Sequence, residues 1–185
     1  MPKLARSLVP RSGAVRCCQI VALLVALGEP ARAEHGSLSG GIGVGGGTGH
    51  SGPFHLLMFL DARGWTSRHL GVFATAIGYG IPDYRTHGSL FAGGLAVRWV
   101  TGHPAPVHSL ELSAGLGRHH ITGFTIFNSD PPGGAFDRTG LGWIVRAGGA
   151  SRYGPVQMIG GLEAHGAPGQ GFAVVVVTGF GLAAW

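Results

Sequence analysis

Three features of the chain predict an all-β fold, an eight-stranded up-and-down antiparallel barrel that crosses a membrane. Beyond residue 33, bulky apolar residues alternate with small or polar ones at period two, the signature of strands. Formal charges are scarce there: eight arginines and seven carboxylates remain among 152 residues, against about 25% charged residues in a usual soluble domain. No stretch of this part could span a bilayer as a helix, because glycine, proline or a charge interrupts every apolar run before the roughly 20 residues that a helix needs. A chain that is apolar overall and lacks a spanning helix points to a sheet closed on itself.

The first 33 residues read as a secretory signal peptide. Lys3, Arg6, Arg11 and Arg16 form a basic head, "CCQIVALLVALG" (17–28) follows, and Ala31 and Ala33 precede a cleavage point before Glu34. The apolar run is too short for a membrane anchor. Removing this leader removes both cysteines, so the mature chain has neither a disulfide framework nor thiol chemistry. It also removes Lys3, Arg6, Arg11, Arg16, Arg32 and Glu29, leaving a net charge of +1 and no lysine. The basicity of the full chain therefore carries no implication of nucleic-acid binding.

The mature part, residues 34–185, is expected to be one barrel domain. Its strands are expected over 37–47, 53–63, 70–81, 89–101, 106–118, 136–149, 155–165 and 171–185. The first ends at "GTGHSG", the second at "RGWTSRH", the third at "PDYRTHG" and the fourth at "TGHPAPV". A long "RHHITGFTIFNSDPPGGAFD" follows the fifth, and "ASRYGP" and "HGAPGQG" close the sixth and seventh. Each link carries Gly, Pro, Asn or Asp, the residues that supply positive φ or preset negative φ in turns. Short links join antiparallel neighbours. Glycine is dense without a fixed period, which argues against a collagen-like chain or a solenoid.

Three strands show what the alternation sorts. Phe91, Leu95, Val97 and Trp99 oppose Ala92, Gly94, Ala96 and Arg98. His108, Leu110, Leu112, Ala114 and Leu116 oppose Ser109, Glu111, Ser113, Gly115 and Gly117. Leu141, Trp143, Val145 and Ala147 oppose Gly140, Gly142, Ile144 and Arg146. In a soluble exported sandwich the bulky rows would pack inward. In a membrane barrel they meet lipid, and the small rows line a narrow lumen. The charge deficit favours the barrel, since a sandwich of this sequence would present mostly glycine and alanine to water.

The chain ends on "VVVVTGFGLAAW" (174–185), an alternating apolar strand with an aromatic last residue. A barrel explains this ending, because its last strand must pair with its first and cannot fray. Here the sequence resembles the small eight-stranded outer-membrane β-barrel proteins of Gram-negative bacteria, which typically close with such a strand. The resemblance covers essentially the whole mature chain, and no motif assigns a subfamily. It implies an outer-membrane location, contact with outer-membrane lipid, and recognition of Phe180, Leu182 and Trp185 by the barrel-assembly machinery. The family's usual last residue is Phe. Counting back from Trp185 gives Ala183, Gly181 and Gly179, while Phe180 and Leu182 fall on the opposite row; a bulge would reconcile the two. Both termini would lie in the periplasm, with the long 119–136 connection outside.

On the small rows, Asp61, Arg98, Glu111 and Arg146 fall near the periplasmic ends of their strands, and Glu163 further toward the outer end of its own. Charges in a narrow lumen are expected to pair, either as a polar plug or gate to small solutes or, as the favoured expectation, as a salt-bridge cluster that fills space and sets register. All ten histidines lie after the leader. His119 and His120 are expected in a loop, and His50, His87 and His165 near other outer loops, as solvated residues; no ligand spacing points to a metal.

Catalysis needs a base beside its nucleophile, and alternation puts His108 on the face opposite Ser109. "GIGVGGG" (41–47) lacks the Gly-Lys-Ser/Thr end of a phosphate loop. The expectation is therefore a monomeric integral outer-membrane barrel, structural or surface-exposed, that binds or passes small solutes. It has no catalytic residue, metal, cofactor or nucleic-acid partner. A lipid-modifying enzyme and a soluble exported β module are the alternatives.

Overall fold

The computed structural model describes residues 36–48, 54–81, 86–101, 107–124 and 135–183. The leader and Trp185 lie outside the described residues. The strands are β1 (Ser37–Gly47), β2 (His55–Trp65), β3 (Leu70–Ile81), β4 (Thr86–Thr101), β5 (Val107–Phe124), β6 (Ala135–Tyr153), β7 (Val156–Ala167) and β8 (Gly171–Ala183). Each pairs antiparallel with its sequence neighbour, and β1 pairs with β8 to close the barrel. That closure runs from Ser37↔Ala183 to Gly47↔Ala173, so the first and last strands leave no open edge between them.

Alternation is unbroken through the last strand. Val174, Val176, Phe180 and Leu182 are exposed while Ala173, Val175, Val177, Gly179 and Ala183 are buried. The bulge considered for β8 is absent over Gly171–Ala183, because β8 keeps a continuous register with both β7 and β1. The β6–β7 link is a two-residue turn, Gly154–Pro155. Its glycine sits at φ 61°, and the proline supplies the negative φ that a type II′ hairpin needs next.

The exterior is apolar. Met58 is 70% exposed, and Ile42, Leu60, Phe91, Leu95, Leu110, Leu116 and Leu162 point outward around the barrel. Exposed Trp99, Tyr153 and Phe180 lie toward the end that holds Ser37 and Ala183, and Phe54, Phe91 and Phe172 toward the opposite end. Such paired aromatic girdles flank the hydrocarbon band of a membrane barrel. Among the described residues no helix is long and apolar enough to cross a membrane.

The interior differs from one lined by small residues all round. β4, β5 and β6 follow the expected sorting, but β2 and β3 turn Leu57, Phe59, Trp65, Phe73, Ile77 and Tyr79 inward. The glycines of β1 and β5 face them and make room. A methyl group at Gly115 would lie 2.9 Å from the Phe73 ring and 2.7 Å from the Gly93 carbonyl oxygen. The lumen is therefore a packed core of large side chains set against glycine, as in other small barrels.

Candidate functional site in the barrel lumen

The central lumen holds an ion-pair network. Asp61 on β2, fully buried, accepts from Arg63 Nη2 at 3.2 Å and also pairs with Arg146 of β6. Arg146 reaches Glu163 of β7 through Nη2 and through Nε, the latter at 2.9 Å. Arg63 pairs with Glu111 of β5, whose other oxygen accepts from Ser109 Oγ at 2.9 Å. Strands on different sides of the barrel are thereby tied across its axis. The register explains part of this, since Arg146 and Glu163 are direct cross-strand partners. The Arg146 guanidinium also lies 4.9 Å from the centre of the Phe59 ring.

The structure brings together Asp61, Glu111, Arg146 and Glu163, and joins Arg63 to them. Arg63 is two residues from Asp61 and so shares its row, a signal that the alternation already carried at the end of the expected strand. Arg98 sits nearer the terminal end. Its guanidinium lies 4.1 Å from the Trp65 ring centre, and its Nε donates to the Arg68 carbonyl at 3.0 Å. This anchors the β2–β3 turn.

Above the network, toward the end bearing the β5–β6 connection, lies a buried layer of His55, Tyr79, His119 and His165. His165 Nδ1 donates to Glu163 Oε1 at 2.9 Å, which joins this layer to the charges. His119 Nδ1 donates to Gln170 Oε1 at 2.7 Å, and its Nε2 accepts from the Tyr79 hydroxyl at 2.6 Å. The His55 and Tyr79 rings are 4.4 Å apart, and the His165 ring lies 5.4–5.5 Å from both.

This layer corrects the expectation of solvated loop histidines. β5 continues to Phe124, so His119 and His120 lie on a strand, and period two sends His119 inward with Ser113 and Gly117. His165 is likewise interior. His50 lies outside the described residues.

Chemically the arrangement fills space and holds charge. A cavity of about 20 Å³, lined by Arg63, Glu111, Ser113, Arg146, Ile159 and Val177, has room for about one water. His108 does meet a hydroxyl, that of its cross-strand partner Ser151 at 2.9 Å, but on the exposed outer face. No carboxylate among the described residues orients that imidazole. Among the described residues no group of three or more His, Cys, Asp or Glu could hold a metal ion.

Phe180 and Leu182 are each 64% exposed, on the outward row of β8.

No family model and no curated protein matches the chain. Solved structures do. Neisserial surface protein A (NspA) superposes with a TM-score of 0.57 at 13% identity, covering 80% of this chain and 96% of that one. The N-terminal β-barrel domain of Pseudomonas aeruginosa OprF gives 0.56 at 16% identity, covering 82% and 98%. Ail, the attachment invasion locus protein of Yersinia pestis, gives 0.52 at 13% identity, covering 82% and 99%. With its closed meander of eight antiparallel strands, the chain has the fold of the small eight-stranded outer-membrane β-barrels.

Proposed function

We propose that this protein is a non-enzymatic, monomeric component of the bacterial outer membrane, exported through its leader, whose barrel is a closed scaffold and not a conduit. The observation that carries this reading is the combination of an apolar exterior with a lumen filled from wall to wall. Phe59, Phe73, Ile77, Leu90, Ile121 and Ile144 pack inside, with Asp61, Arg63, Arg146 and Glu163 locked among them. A solute would have to displace buried ion pairs, and breaking one such pair leaves an uncompensated charge at a cost of about 3–5 kcal/mol.

The functional surface is then the end carrying the β5–β6 hairpin, taken as the extracellular side with both domain termini in the periplasm. The exposed Phe180 and Leu182 on the closing strand supply apolar groups for the assembly machinery to read. Planar-bilayer recordings of the purified full-length mature chain test the scaffold reading. Electrical silence is expected, and stable single-channel steps would reject it in favour of a solute pathway.

A further inference from the structure

We propose that the outer wall of β4–β6 carries a binding site for the phosphate of an outer-leaflet lipid, centred on Arg118; this rests on the membrane reading above. Among the strand arginines of the described residues, Arg63, Arg98, Arg138, Arg146 and Arg152 all lie on inward rows. Arg118 alone lies on the lipid-facing row, in series with Leu112, Ala114 and Leu116, and it is exposed. Among the described residues it makes no hydrogen bond or ion pair, whereas Arg63 and Arg146 are both matched with carboxylates.

Its height on the wall is informative. On β5 the outward apolar run Leu110–Leu116 is bracketed by His108 below and Arg118 above. The spacing of ten residues is that of a tilted strand crossing the hydrocarbon, about 9–11 residues. Arg118 therefore marks the upper edge of the band. Its cross-strand partners Phe91 and Leu141 are exposed apolar residues, so the stem of the arginine is flanked by lipid-facing groups while its guanidinium can reach the headgroups.

The next rung on the outward row adds hydrogen-bonding groups. Ser89, His120 and Thr139 are neighbours there. His120 Nδ1 bonds Thr139 Oγ1 at 2.9 Å, and Asp137 stands 3.7 Å from the same ring nitrogen. No carboxylate of the described residues pairs with Arg118, which keeps its planar fork of donors for an external anion. At this depth the anion available is a lipid phosphate, which a guanidinium can bind with two parallel hydrogen bonds.

The test uses the full-length mature chain in nanodiscs, wild type against Arg118→Gln and Arg118→Lys. Native mass spectrometry counts bound diphosphorylated glycolipid in competition with its dephosphorylated form. Retarded migration of unboiled protein on cold gels reports barrel insertion independently. Wild type should prefer the phosphorylated lipid; Arg118→Gln should lower that preference about fivefold, and Arg118→Lys should restore part of it. An inserted wild-type barrel with no phosphate preference, or one unchanged in Arg118→Gln, would overturn the site while leaving the membrane reading intact. Failure of the wild type to insert would remove the membrane reading and the site with it. Displacement of the lipid by millimolar inorganic phosphate would show a site for the free ion and overturn the assignment to lipid.

Discussion

Asp61 links two arginines inside the barrel. It is wholly buried and joins Arg63 of its own strand to Arg146 across the lumen, at a sequence separation of 85. Removing its carboxylate takes one of two carboxylate partners from each guanidinium, Arg63 keeping Glu111 and Arg146 keeping Glu163. Asp61→Ala, which removes these charge-assisted bonds, should therefore lower the stability of the folded barrel by about 1.5–3 kcal/mol, read as a shift of the urea midpoint in cold-gel migration. Asp61→Asn keeps an acceptor and should lose less. If Asp61→Ala unfolded at the wild-type midpoint, the network would be ornamental to stability.

At the level of single strands, the alternation on β5 makes two faces with different solvents. Leu112 lies mid-way along the outward apolar run, directly beside Ser113 on the inward row. Leu112→Arg should destabilise the barrel in bilayers by about 2–4 kcal/mol, whereas Ser113→Ala should change little. Near-equal effects of the two would mean that the bulky row does not face hydrocarbon. On β8 the paired substitution Phe180→Ser with Leu182→Ser should slow insertion by purified assembly machinery while the protein still refolds in detergent. Unchanged insertion kinetics would refute the proposed recognition of these residues.

Taken together, the strands enclose a lumen blocked twice, by ion pairs at its centre and by an apolar and histidine layer beyond. The two obstructions use different residues. Breaking the network with Asp61→Ala should destabilise the barrel without opening it, because Ile77, Leu90, Ile121 and Ile144 remain in place. Bilayer recordings of that variant should stay as silent as those of the wild type. Current through Asp61→Ala alone would identify the ion pairs as a gate.

Period-two alternation and the shortage of charge were enough to infer eight strands, their antiparallel order, and the inward placement of Asp61, Glu111, Arg146 and Glu163. Such properties depend on each strand's own pattern, since alternate side chains point to opposite faces whatever the neighbours are. Contacts across the lumen are another matter. That Arg63 reaches Glu111, or that Tyr79 meets His119, depends on how far each strand slides against the next, and register accumulates around a closed sheet. The same closure decides which rows can be bulky, with Phe73 opposite Gly115 where a chain pattern alone suggested small residues throughout. Strand ends were the weakest inference. His119 comes to face the interior, beside Tyr79 and Gln170, because β5 goes on pairing with β6 to Phe124, beyond the point where the chain pattern alone ended the strand.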